Sequence, residues 1–363
     1  MPSRLDRLRG EMASRNLDAF LVTDLLNVRY LSGFTGSYAF ALLTPDDAVL
    51  LTDFRYAEQS AEECPGLDLE LVESHWVPGA QRAVERAGVK SVGFESHSLS
   101  YHHWSELSAA IPGIRLVPEE DLVGRLRLVK EEEEVALIRE AVRIADLAYA
   151  HIAEFIKPGL TERDVAAELD YFMRRNGADK EGFDTIVASG PRSALPHGKS
   201  SDRVISRGEL IVLDFGAAFQ GYHSDITRTF VLGPPDDRQD EIYGIVLEAQ
   251  SRAISALRPG LLGGDVDSVA REYIAERGFG EHFGHGLGHG LGLDVHDGRV
   301  LARASEIMLE AGMVVTVEPG IYIPGWGGIR IEDDVLVTDS GAEVLTQSPR
   351  RLAIQRKESG GHV

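Results

Sequence analysis

"LIVLDFGAAFQGYHSDITRTF", residues Leu210–Phe230, runs through an apolar stretch to Asp214 and then places a second acid, Asp225, just ahead of another strand-like run. A buried carboxylate without a partner is costly unless it is protonated or paired. Gly216, Gln220 and Gly221 between the two acids predict a hairpin centred near Phe219, with Asp214 and Asp225 close to opposite each other. Like charges in that arrangement destabilise a sheet.

The same problem occurs twice. "KPGLTERDVAAELDYFMRRNG" (Lys157–Gly177) aligns without a gap on "RPGLLGGDVDSVAREYIAERG" (Arg258–Gly278) at a constant offset of 101 residues, with Pro, Gly, Leu, Asp, Val and the final Gly coinciding. Each copy follows a long amphipathic helix that its Pro-Gly breaks, and each precedes a strand ending acid-x-Gly, "LIVLDFG" and "MVVTVEPG". Asp214 therefore corresponds to Glu318, and Asp225 to Glu332 in "IRIEDD". Glu318 and Glu332 flank a second glycine-rich turn, "GIYIPGWGG". The pattern predicts a duplicated half-domain with a pseudo-two-fold site.

Four carboxylates converging from two related hairpins require cations, and hard oxygen donors suit Mn, Co, Zn or Mg. Two divalent ions would balance the four charges. "FGHGLGHGLGLDVHD" offers His285, His289 and His296 as nitrogen donors. It is no helical H-E-x-x-H motif, since its glycines break helix and the glutamate is missing, so its backbone is expected to pack close to the metals. Each piece alone has a blander reading. A single strand Asp is more often a hydrogen-bonded structural residue, His-Gly repeats are weak, and Arg330 taken alone is a structural salt-bridge partner. Two metals sharing a bridging water, activated as hydroxide, make hydrolysis the natural reaction.

The rest of the chain sets the frame. Its 363 residues carry 37 basic against 58 acidic side chains, a net charge of −21, which argues against nucleic acid or an anionic membrane as the partner. No apolar stretch has the length of a membrane helix and the N-terminus lacks a signal-like apolar core, so a cytoplasmic location is expected. The lone Cys64 fits a reducing compartment and is structural or incidental. "LDAFLVTD", "FALLTP", "DAVLLTD", "KSVGFES" and "IRLVPE" read as strands, and "SRLDRLRGEMASRN" and "WVPGAQRAVERAG" as helices, of a self-contained α/β domain. A long helix is expected from "LVGRLRLVKEEEEVALIREAV" onward, with Val135, Ile138, Val142, Ala145 and Ile152 on one face and Glu131 to Glu134 as acids that suit its N-terminus and have no binding role. The domain boundary falls close to Arg127, giving domains 1–126 and 127–363. "GFTGS" (Gly33–Ser37) lacks phosphate-loop spacing and reads as a turn.

"LDFG", "HSDITRT", "GHGLGHGLGLDVHD", "VEPGIY" and "GIRIEDD", in this order, resemble the pita-bread metallopeptidases, in particular the Xaa-Pro-cleaving branch of aminopeptidase P and prolidase. "NVRYLSGFTGS" and "LLTDFRY" resemble that branch's creatinase-like N-terminal domain. The resemblance implies an α+β fold, a creatinase-like α/β domain followed by a pita-bread domain with an internal pseudo-two-fold repeat. It implies Asp214, Asp225, His289, Glu318 and Glu332 as metal ligands for two divalent ions per subunit, manganese first, cobalt or zinc next. Asp225 and Glu332 would bridge. Glu318 would also handle the proton of the attacking water, His296 would steady the carbonyl oxygen, and His197 would lie near the proline nitrogen. His285 would line the proline pocket, with Tyr322 and Arg330 supporting metal site and substrate. A proline-containing peptide is the implied substrate and a homodimer the implied assembly.

Between an aminopeptidase P and a dipeptidase no spacing identifies a carboxylate clamp, and the reading leans to the aminopeptidase. A methionine aminopeptidase would lack the N-terminal domain, creatinase lacks the metal set, and an inactive peptide-binding member would have lost a ligand. A phosphoesterase would need more site cations than Arg330.

Overall fold

The computed structural model describes residues 2–73 and 75–354. The chain divides into two compact units, with the division after Arg127. In the first, strands β1 (Ala19–Val22), β2 (Ala39–Leu43), β3 (Ala48–Asp53), β4 (Asp68–Val72), β5 (Ser91–Glu95) and β6 (Arg115–Glu119) form one mixed sheet in the order β4-β3-β2-β1-β5-β6. Helices α1 (Arg4–Ser14), α2 (Leu25–Ser32), α3 (Ala57–Glu63), α4 (Val77–Ala87), α5 (Tyr101–Ala110) and α6 (Leu122–Leu128) accompany it. The five strands read from the sequence are present. β4 was missed because its alternating "DLELV" is largely exposed on the sheet edge. Trp76, Leu21, Leu42, Leu51 and Val92 anchor the core of this unit. Gly33 ends α2 in the left-handed region, so "GFTGS" is indeed a turn.

The second unit is built twice over. α7 (Glu132–Phe155) and α8 (Glu162–Arg175) lead to the strands of the first half: β7 (Lys180–Glu181), β8 (Ile186–Ser189), β9 (Leu210–Phe215), β10 (Ala217–Phe219), β11 (Tyr222–His223) and β12 (Ile226–Leu232). α9 (Asp237–Ala256) and α10 (Gly263–Glu276) lead to those of the second: β13 (Val314–Val317), β14 (Gly320–Ile323), β15 (Gly327–Arg330), β16 (Asp333–Thr338) and β17 (Gly341–Val344), and β18 (Ala353–Ile354) then returns to pair with β12. The repeat extends to backbone detail. Thr161 bridges Val204 just before α8, and Leu262, 101 residues on, bridges Met308 just before α10. Each half buries its own apolar cluster, around Ile144, Leu169 and Phe215 in one and Val246, Val266 and Val315 in the other.

The expected long helix is interrupted. α6 stops at Leu128, and α7 begins only at Glu132, capped by Glu131 with a reciprocal Glu134 bond. Ile138, Val142, Ala145 and Ile152 are buried as the periodicity predicts, while Val135 is half-buried. Glu134 does more than favour the helix N-terminus: it is buried and accepts a 2.9 Å bond from the Tyr222 hydroxyl.

The first hairpin differs from the expected register. Its turn lies on Gln220 and Gly221, both left-handed at φ 46° and 80°, instead of at Phe219. Asp214 consequently pairs with Thr227, and Phe215 with Ile226. Asp225 is two residues from Thr227, so Asp214 and Asp225 share a face as diagonal neighbours. In the second half the ladder runs Val317 with Asp333, then Gly320 with Arg330 and on to Ile323 with Gly327. That continuous register sets Glu318 across from Glu332.

Candidate metal centre

The site forms where the two hairpins meet. The Glu332 amide donates to the Thr227 carbonyl at 3.1 Å, and Arg330 and Thr229 exchange two bonds through the Thr229 hydroxyl at 2.8 and 3.0 Å. The Thr227 hydroxyl accepts from Arg330 Nε at 2.9 Å and donates to Glu332 Oε2 at 2.5 Å. Arg330 Nη2 is bonded to Asp214 Oδ2, and Nη1 donates to the Tyr322 hydroxyl at 2.9 Å and the Pro196 carbonyl at 3.2 Å. One buried guanidinium thus touches both halves of the repeat.

His289 enters from the glycine-rich segment. Gly288 exchanges two bonds with Leu301, and the Thr316 amide donates to the His289 carbonyl at 2.9 Å, so the segment lies flat on β13. Position 288 has room for no side chain, since a Cβ would sit 1.9 Å from the Thr316 carbonyl oxygen. His289 Nδ1 lies 3.0 Å from the Gly290 carbonyl, which fixes its proton there. Nε2 then presents a lone pair, 3.6 Å from Asp225 Oδ2 and 3.6 Å from Glu318 Oε1. Burial, reinforced by the neighbouring His296, pushes the His289 imidazole down to about 4, so it is neutral at physiological pH.

Acceptors facing acceptors leave a place for a cation. Asp225, His289 and Glu332 each offer a ligand atom, all within 4.8 Å of one another. Asp225 Oδ1 is buried without a hydrogen-bond partner. Burial raises the carboxyls of Asp214, Asp225 and Glu332, and the surrounding acids lift Asp225 and Glu332 further. Burial also lifts Glu318 to about 8. A neutral imidazole lone pair among carboxylates that cannot all ionise is a donor set suited to a hard or borderline divalent ion.

The other sequence-derived residues surround this set. His285 Nδ1 lies 2.7 Å from the Gly286 carbonyl and Nε2 lies 2.9 Å from the Tyr322 hydroxyl. Because Tyr322 accepts from Arg330, its own proton points to His285 Nε2, and His285, lowered by burial to about 4, is the neutral Nδ1–H tautomer. The His296 ring is exposed and lies 4.4 Å from that of His289, tilted by 49°. His197 is exposed on the loop whose Pro196 carbonyl Arg330 holds. Sequence reasoning missed three supports. Thr227 links Arg330 to Glu332, Thr316 accepts the His289 amide at 3.0 Å and donates to Glu318 at 3.4 Å, and Asp334 accepts the Asp225 amide at 3.0 Å. Their signal is parity: Thr227 and Asp334 lie two residues beyond Asp225 and Glu332 and share their faces.

Residues 136–339 match metallopeptidase family M24 and residues 4–129 match the creatinase/prolidase N-terminal domain. The chain belongs to metallopeptidase family M24, and the expected α+β fold of creatinase-like and pita-bread units holds. Divalent-metal binding is a property of that family. A curated Xaa-Pro dipeptidase of Pyrococcus horikoshii is 42% identical over 355 residues, covering 97% of this chain and 99% of that one. Among solved structures, the Xaa-Pro dipeptidase from Bacillus anthracis superposes with a TM-score of 0.94 at 45% identity, covering 96% and 98% of the two chains. The X-Pro aminopeptidase from Thermotoga maritima gives 0.88 at 41%, covering 97% and 100%.

Two outcomes are expected. Gly288→Ala pushes the His289 segment off β13 and weakens metal binding by about 10-fold or more while leaving the far-ultraviolet dichroism native; metal titration showing wild-type affinity would contradict this. In chelator-stripped protein, Glu318 at about 8 instead of its ordinary 4.5 means the folded state holds a proton that the unfolded chain has released between those values. Metal-free stability must therefore fall as pH rises through that window, whereas metal-loaded protein, its carboxylates already ionised, lacks this loss. Thermal midpoints of the stripped protein that stay level from about pH 5 to about pH 8 would refute the assignment.

Proposed function

We propose that this chain hydrolyses the Xaa-Pro bond at peptide N-termini. The observation that carries the reading is the neutral His289 Nε2 facing Asp225 and Glu318 at 3.6 Å each, with Glu332 beside them. Asp214, Asp225, His289, Glu318 and Glu332 would hold two divalent ions, manganese by preference. Ions held there supply Lewis acidity toward a carbonyl oxygen and an attacking water.

The chain's own groups do the rest. Glu318, ionised once the ions are held, takes the water's proton and returns it to the leaving nitrogen. His296 donates to the carbonyl oxygen as the carbon becomes tetrahedral. His197 stands by the proline nitrogen, and His285 offers a neutral ring to the pyrrolidine. Arg330, fixed by Asp214, Tyr322 and Thr227, keeps a permanent positive charge behind the carboxylates. A tertiary Xaa-Pro amide has no N–H, so nothing here need accept one.

Residues 1–126 form the creatinase-like module and 127–363 the catalytic one in this reading, which the division after Arg127 supports. The active species is a cytoplasmic homodimer with a proline-containing peptide, not nucleic acid or membrane, as its partner. Among the described residues no helix is long and apolar enough to cross a membrane, which is compatible with that placement. The relatives carry both activity names, dipeptidase and aminopeptidase. The lean here is to the aminopeptidase, with the dipeptidase as the second reading, favoured by the Pyrococcus and Bacillus relatives.

The deciding assay adds manganese to stripped protein and follows an Xaa-Pro dipeptide beside an Xaa-Pro-Xaa tripeptide. Release of the first residue from the tripeptide with little dipeptide turnover is expected; the reverse establishes a dipeptidase, and inertness toward both removes the Xaa-Pro reading.

A further inference from the structure

The two halves hold their site loops in place by different means. In the second half the segment carrying His285, His289 and His296 is anchored by buried Leu287, Leu291, Leu293, Val300 and Leu301, and by the Gly288–Leu301 and Gly290–Val315 bridges. The corresponding first-half stretch is β8, with buried Val187 and Ala188, followed by the loop 190–201, which carries His197 and the Pro196 carbonyl held by Arg330. None of the loop's large apolar side chains is buried, and Leu195 is 49% exposed. Something other than hydrophobic burial has to fix it.

That role falls to Glu162, the first residue of α8, which is fully buried. Its Oε1 accepts from the Ser189 amide at 2.8 Å and the Ser189 hydroxyl at 2.9 Å. Oε2 accepts from the Ser201 amide at 3.0 Å, the Ser201 hydroxyl at 2.5 Å and Arg192 Nε at 3.1 Å. Arg192 passes the constraint on by donating Nη2 to the Lys199 carbonyl at 2.5 Å. A single carboxylate therefore closes both ends of the loop, Ser189 before it and Ser201 after it, through charge-assisted bonds. At the equivalent point of the second half stands Gly263. Its amide donates to the Ile307 carbonyl at 2.9 Å just as the Glu162 amide donates to the Arg203 carbonyl at 3.1 Å, so the backbone frame is shared and only the carboxylate differs.

We propose that Glu162 is a positioning residue for the peptidase reaction: it fixes the 190–201 loop and, through it, the place of His197 beside the scissile bond. The proposal rests on the Xaa-Pro reading for its catalytic consequence but not for its structural one. Glu162→Gln keeps the volume and removes the charge. The Gln amide nitrogen cannot accept a bond, so either the Ser189 pair or the Ser201–Arg192 set loses its acceptor. Displacement of a substrate-facing group on this scale predicts a drop of about 10-fold in kcat/KM.

The test is a double-mutant cycle in manganese-loaded full-length protein, with hydrogen exchange on the same samples. His197→Ala should lower kcat/KM on the Xaa-Pro substrate. Glu162→Gln should lower it about 10-fold in the wild-type background but less than about 2-fold when His197 is already Ala, because both act through one group. Exchange should quicken across 186–204 and stay unchanged in β13 and the 286–301 segment, and Glu162→Asp should recover part of both losses. Fully additive losses, or native exchange in 186–204, would overturn the proposal. If the wild type turns over no Xaa-Pro substrate, the peptidase reading fails by itself and the exchange measurement alone decides whether Glu162 fixes the loop.

Discussion

The second unit depends on one electrostatic constraint: four carboxylates and a neutral imidazole nitrogen are brought together where water cannot shield them. Asp214 sits on β9, while Asp225, Glu318 and Glu332 sit at the ends of strands packed on the apolar cores, and His289 aims a lone pair at two of these acids. Without a cation the set can persist only by retaining protons, which is the state that burial imposes on the metal-free acids. Most of the surrounding polar structure is explained by the need to hold these groups still. Arg330 ties Asp214 to the second hairpin, Thr227 ties Arg330 to Glu332, and Asp334 holds the amide of Asp225.

A further layer behind the acids is also charged. Arg228 donates to the Thr227 and Glu332 carbonyls and, at 2.7 Å, to Asp333, which also accepts from Gln250 at 2.9 Å and pairs with Arg350 at 2.6 Å. Buried ion pairs of this kind contribute little net stability, but removing one partner leaves an uncompensated charge in the interior. Their value here is geometric. They join strands of the two halves by groups that accept only one relative placement.

Much of this could be read from the sequence because duplication writes the same problem twice. The offset between Lys157–Gly177 and Arg258–Gly278 exposed the equivalence of Asp214 with Glu318 and Asp225 with Glu332, and the structure keeps it to the level of single bridges. What was lost has physical causes. The first hairpin was centred near Phe219 because glutamine is an uncommon occupant of the left-handed position that Gln220 takes, and the true turn moved Asp225 to a diagonal of Asp214. The acids Glu134 and Glu162 look like ordinary first-turn residues of helices, a pattern that normally means solvent, and only tertiary packing reveals that both are buried acceptors. Thr227 and Thr316 read as common strand formers, since a hydroxyl's partner is set by the neighbouring strand, which the sequence does not display.

The register shared by the β13–β16 and β14–β15 pairs constrains how such a protein can change. The acids stand at the base of the arm, while its tip, Pro324 to Trp326, is the one part of the hairpin whose length does not enter the pairing of Glu318 with Glu332. A residue inserted within the ladder would turn every following side chain to the opposite face, but one inserted at the tip leaves the base untouched. Selection can therefore lengthen or rewrite the tip freely while the chemistry at the base is inherited intact, and the arm's end is where relatives with one shared centre are free to diverge.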